Sequence, residues 1–122
     1  MTKDEVARWM DAMFAEEHGA REAGQKEYAH GNEEAFGNFN RLSAMLKIDR
    51  KMVLWIYMQK HFDGILSYIN GHKSQREDVR GRIKDARVYL TLLRAMIEEE
   101  EQSNNRKPLT QQLEQGLDSV SR

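Results

Sequence analysis

Several ionisable side chains stand where a helical reading puts apolar neighbours. At about 100° per residue, Asp78, Arg82 and Asp85 fall in the arc that holds Tyr89, Leu93 and Met96. Glu17 falls near the middle of the arc shared by Val6, Met10, Met13 and Gly24, with Glu27 at its edge. His61 lies inside the apolar arc of a third segment, and Lys60 lies at its border. Burying a charge is costly unless it is paired or liganded, so such positions are where chemistry is sought first.

Two kinds of chemistry fit. The carboxylates Glu17, Glu27, Asp78 and Asp85 are a candidate Mg²⁺ set, since that hard cation takes oxygen ligands and bridges to phosphates. Lys60 and Arg82, with Arg80 or Arg87 beside them, can meet phosphate oxygens, the arginines in bidentate fashion. Tyr28, Tyr57 or Trp55 can stack on a base, and Asn38, in the run Phe36-Gly37-Asn38-Phe39, can read a base edge. Each feature has a structural alternative. Arg82 can pair with Asp78 and Asp85 across one helical turn, His61 can be a hydrogen-bonded core residue, and the aromatic and Met residues can be core. The other histidines, His18, His30 and His72, show no two-His helical spacing for zinc. No phosphate loop, GxGxxG or nucleophile elbow occurs.

The elements that must position these groups are helices. Thr2 with Glu5 forms a capping box for a first helix that runs to about Ala29. Asn32 is an expected N-cap for a second helix carrying Phe36, Phe39, Leu42, Met45 and Leu46 on one side. Asp49 caps a third helix from about Arg50 to Asn70, and Gly71 suits a left-handed stop. Ser74 with Glu77 reads as a second capping box, opening a fourth helix that carries Val79, Ile83, Ala86, Tyr89, Leu90, Leu93 and Ile97. The acidic run Glu98–Glu101 opposes the helix dipole and is expected to fray that end. The polar segment 102–122, holding the single Pro108, reads as a tail: a short docking helix through Leu109, Leu113, Leu117 and Val120, or disorder.

The expected fold is therefore all-α, a four-helix bundle-like domain over 1–101 with a polar C-terminal tail. The third helix is apolar over more than half its circumference, which suits a central position or one shared across an oligomer interface. The balance of 19 basic and 20 acidic residues, net −1, argues against a general nucleic-acid coat or a polybasic membrane anchor. The absence of Cys excludes disulfides, thiolate zinc sites, iron–sulfur clusters and a Cys nucleophile. The apolar run Met52–Met58 is far short of the ~20 residues that span a bilayer. With no signal-peptide pattern at the N-terminus, a soluble, cytoplasmic protein is expected.

A succession of short motifs resembles a family. The order is Lys26-Glu27-Tyr28, Phe36-Gly37-Asn38-Phe39, Lys60-His61-Phe62-Asp63, Glu77, then Arg82-Ile83-Lys84-Asp85 with Tyr89 and Leu92-Leu93. Over about residues 21–97 it resembles the phage and prophage helical domains grouped with nucleotide-modification-associated and MazG-like proteins. The resemblance implies an all-α oligomer with a nucleotide ligand, in the cytoplasm of the host cell if phage-encoded. In the MazG-like enzymes, acidic pairs on two helices bind Mg²⁺ and nucleoside triphosphates are cut to monophosphate and pyrophosphate. Here Glu17 has Ala20 three residues on, Gly81 stands where related domains tend to show a further Asp, and Asp78 and Asp85 are two turns apart. A site that keeps phosphate clamps and loses metal ligands holds a nucleotide without cutting it.

Three functions follow. The first is a phage-type binder that holds a nucleotide or cyclic nucleotide, such as a host immune second messenger in counter-defence, with no cofactor. Lys60, His61, Arg80, Arg82, Tyr28, Tyr57 and Asn38 form its ligand site. The second is a Mg²⁺-dependent nucleoside triphosphate pyrophosphohydrolase using Glu17, Glu27, Asp78 and Asp85. The third is a helical protein-interaction module.

Overall fold

A computed structural model describes residues 1–28, 34–72 and 76–105, with the backbone alone for 23–28. Those residues form four helices, α1 (Lys3–Tyr28), α2 (Gly37–Leu46), α3 (Arg50–Ile69) and α4 (Val79–Asn105), and no strand. The chain is all-α, and no described helix is long and apolar enough to cross a membrane. It divides into two compact units, Met1–Thr91 and Leu92–Arg122, with the division inside α4.

Local chemistry explains most of the helix ends. The Glu5 carboxylate accepts from the Thr2 N–H at 2.9 Å, and the Glu5 N–H donates to the Thr2 hydroxyl at 3.1 Å, a reciprocal capping box. Asp49 caps α3, its carboxylate accepting from the Lys51 backbone N–H at 2.7 Å. That bond, ahead of the Lys51 ammonium, holds the Asp49 carboxyl below the usual range. At the far end of α3, the Gly71 N–H reaches the Tyr68 carbonyl and the His72 N–H reaches the Ser67 carbonyl, both at 3.0 Å. This is the Schellman pattern, and Gly71 takes the required left-handed backbone at φ +93°.

Three expected boundaries move. Asn32 and Ser74 lie outside the described residues, and α2 begins at Gly37 after a turn at Ala35 and Phe36. Asp78 supplies the cap of α4: its carboxylate accepts from the Arg80 N–H at 2.8 Å. The acidic run does not end α4, which continues to Asn105. Glu is a good helix former, and Glu98 accepts from the Arg94 guanidinium one turn back at 2.8 Å. Beyond Asn105 the expected tail lies outside the described residues.

In the first unit, α2 packs against α3. Phe36 and Phe39 are buried, and the Phe39 ring meets Tyr57 on α3 at 5.7 Å and Tyr89 on α4 at 6.3 Å. Val53, Leu54, Met58, His61 and Gly64 form the buried arc of α3. Toward α1, the Arg87 guanidinium pairs with Glu17 and lies 5.5 Å from the centre of the Phe14 ring. Much of the expected core is nevertheless exposed: Trp9, Met10, Met45, Leu46, Met52 and Trp55 are 49–67% accessible. The apolar arc of α3 is wider than its neighbours can cover, so its outer half faces outward.

Replacing Asp49 with Ala removes the α3 cap. The expected loss is about 1 kcal/mol in urea unfolding at neutral pH, typical of N-cap deletions.

Candidate functional site

The site is built where α4 crosses α3, inside the first unit. Gly64 sits in the buried arc of α3, where Gly costs about 1 kcal/mol against Ala. A Cβ there would stand 2.1–2.6 Å from Cδ, Nε and Cζ of Arg82, so only glycine leaves the space the guanidinium fills. Arg82 lies across that gap and donates from Nη1 to the Lys60 carbonyl at 3.0 Å. Its Nε is buried and has no acceptor. The alternative pairing of Arg82 with Asp78 and Asp85 is absent among the described residues: Asp78 pairs with exposed Arg80 at 3.2 Å, and Arg82 turns to α3.

One turn from Gly64, His61 is 3% exposed, and its Nδ1 is buried without a hydrogen-bond partner. The imidazole lies 5.6 Å from the Tyr89 ring, and Tyr89 meets Tyr57 edge-on at 6.5 Å. The nearest acid to Nδ1 is Asp85 Oδ2 at 3.8 Å, too far for a hydrogen bond. A buried polar atom left unsatisfied costs about 1–3 kcal/mol, so this nitrogen is an unmet demand. Burial pushes the His61 imidazole below its ordinary value near 6.5. Asp85 and Glu77 act to raise it, and Lys60 and Arg82 lower it further.

The expected site residues separate into groups. His61, Arg82, Lys60, Asp85 and Tyr57 belong to the α3–α4 crossing, with the Lys60 and Tyr57 side chains reaching solvent. Arg80 and Asp78 form a local pair at the start of α4, and the Asp78 carboxyl is held low first by the Arg80 backbone N–H and then by its guanidinium. Glu17 is spent on Arg87, an ion pair between charges rather than an aligned hydrogen bond. Asn38 accepts from Arg41 at 3.4 Å, inside α2. A Cβ on Gly37 would meet nothing nearer than 4.0 Å, so no close approach needs that glycine. The side chains of Glu27 and Tyr28 lie outside the described residues. Of the four carboxylates expected to hold Mg²⁺, the three described ones do not form one ligand set: Glu17 and Asp78 have cationic partners of their own. Among the described residues, the only grouping of three metal-capable donors is His61, Glu77 and Asp85.

Two participants were not singled out for the site from sequence. Gly64 carried no pattern beyond a glycine inside an apolar helix, which is itself a signal for close approach. Glu77 read as a capping residue.

Comparison of the chain with protein families, with characterised proteins and with solved structures finds no match.

Two outcomes test this geometry. Gly64→Ala displaces Arg82: a charged hydrogen bond worth ~1.5–3 kcal/mol is lost against ~1 kcal/mol of helix propensity gained, so stability falls. In an Arg82→Ala background the same change raises stability by about 1 kcal/mol, and the sign reversal in a double-mutant cycle identifies the contact. The second outcome concerns pH. Because the folded-state pKa of His61 is depressed, the unfolded chain binds the proton first. The contribution of His61 is complete above pH ~6.5 and is lost as pH falls from there toward the folded value. Urea midpoints measured in a chelating buffer should drop across this window, and His61→Gln should flatten that part of the profile.

Proposed function

We propose that the α3–α4 crossing binds the phosphate groups of a nucleotide or nucleotide-based signalling molecule and holds the ligand intact. The observation that carries this reading is Arg82. Its guanidinium is fixed over Gly64 by one bond to the Lys60 carbonyl, while its buried Nε has no acceptor. With Nη1 on the carbonyl and Nε enclosed, Nη2 is the donor left to meet a phosphate or carboxylate oxygen. The exposed ammonium of neighbouring Lys60 can add a second positive charge, and Tyr57, 37% exposed at the edge of the aromatic cluster, can offer a base a stacking face. The resemblance of residues 21–97 to MazG-like phage domains suggests the nucleotide class. The dispersal of Glu17 and Asp78 into ion pairs favours holding over Mg²⁺-dependent cleavage.

Oligomeric assembly belongs to the same proposal. Val6, Trp9, Met10 and Phe14 fall at helical spacing on α1 and are 47–58% exposed. Exposed large apolar residues aligned on one helix face suit an interaction surface.

The test is native mass spectrometry of the protein mixed with a pool of nucleotides and cyclic dinucleotides, with and without Mg²⁺, followed by identification of released molecules. An intact nucleotide at fixed stoichiometry per oligomer is expected. Lys60→Ala should weaken its binding at least tenfold with unchanged melting temperature. Monophosphate with pyrophosphate, formed only with Mg²⁺, would replace this reading with the hydrolase. Neither binding nor cleavage would leave the interaction module.

A further inference from the structure

A donor set that the carboxylate pattern did not anticipate lies at the same crossing. A ring nitrogen of His61 and one carboxylate oxygen each from Glu77 and Asp85 all lie within 4.8 Å of one another. Three acid or imidazole groups in proximity are common at surfaces and mean little alone. His61 differs from a surface group: it is 3% exposed, and its Nδ1 is sealed from solvent, has no hydrogen bond and lies nearest Asp85 Oδ2. A neutral imidazole with an unused nitrogen beside two carboxylates is the protonation state a metal requires.

We propose that His61, Glu77 and Asp85 bind one divalent transition-metal cation, Zn²⁺ or Mn²⁺, in preference to Mg²⁺. One nitrogen and two oxygen donors match the ligand chemistry of zinc and its neighbours, whereas Mg²⁺ takes oxygen ligands in near-ideal octahedral geometry. Ligands on one tetrahedral ion at ~2.0–2.1 Å are separated by roughly 3.4 Å, so the three groups must close slightly around it. The arrangement permits this. Glu77 is exposed on the segment leading into α4, Asp85 is 39% exposed, and both carboxylates can turn toward His61, which packing holds in place. Arg82 and Lys60 are the cations that face the site. Arg82 is tied to α3 by its bond to the Lys60 carbonyl and Lys60 reaches solvent, so neither neutralises Asp85 in the described structure. Three protein ligands leave coordination positions for water or an anion. The inference does not depend on the nucleotide reading and is tested without any nucleotide.

The experiment is titration of the full chain, stripped with chelator, with Zn²⁺, Mn²⁺ and Mg²⁺ separately, by calorimetry and by thermal melting. The expected result is saturable 1:1 binding of Zn²⁺ or Mn²⁺ that raises the melting temperature, with at least tenfold weaker binding of Mg²⁺. Glu77→Gln, on an exposed side chain, should weaken the metal at least tenfold while leaving the metal-free melt unchanged, and Asp85→Asn should do the same to the metal. Mn²⁺ should broaden the His61 ring resonances before those of His18, His30 and His72. Absence of saturable binding overturns the proposal. So do affinities unchanged in both variants, equal binding of Mg²⁺, or broadening centred on another histidine.

Discussion

The guanidinium of Arg82, laid across α3 at Gly64, is the contact around which the polar groups of the crossing are arranged. A helix interior ordinarily disfavours glycine, and a guanidinium ordinarily stays in water. Here each compensates the other. The missing side chain lets the charged fork approach the α3 backbone, and the fork covers the gap that glycine leaves. One consequence is that α4 is tied to α3 by a directional bond to the Lys60 carbonyl as well as by apolar contact. Another is that Asp85, one turn along α4 from Arg82, pairs with no Lys or Arg among the described residues and stands beside His61.

The ionisation of His61 is then set by opposing influences. Desolvation disfavours the imidazolium, and Lys60 and Arg82 add repulsion. Asp85 and Glu77 oppose both but do not outweigh them. Had Asp85 approached to hydrogen-bond distance, its attraction would be stronger and the nitrogen satisfied. At 3.8 Å it does neither. Tyr89, Tyr57 and Phe39 close the apolar side through edge and tilted ring contacts, so the imidazole is held in place by packing while its nitrogen is unused. The site is therefore rigid on the α3 side and adjustable on the acid side.

What was readable from sequence was chemistry between near neighbours. The Thr2–Glu5 box, the Asp49 cap and the left-handed Gly71 each involve residues within a few positions, where spacing dictates geometry. The helical arc also placed His61 inside. The arc failed where two partners compete for one charge. Asp78 and Glu17 share arcs with apolar residues, yet Asp78 is captured by the backbone of its own helix start and Glu17 by Arg87 on another helix. Projection onto a helix wheel cannot rank a local cap against a distant ligand. Nor could it join Glu77 to His61, sixteen positions apart across a turn, because that proximity depends on how α4 enters.

The width of the apolar surface is the remaining constraint. α3 buries Val53, Leu54 and Met58 on one arc and leaves Met52, Trp55 and Ile56 on the other about half exposed, as α1 leaves Trp9 and Phe14. Burial of such residues contributes roughly 25 cal/mol per Å² removed from water, so leaving them uncovered forgoes stabilisation that most domains use. On α3 the buried arc with His61 and Gly64 and the exposed arc with Met52, Trp55 and Ile56 lie on different faces of the helix. Covering the outer arc would remove Met52, Trp55 and Ile56 from water and leave His61 and Gly64 on the buried arc.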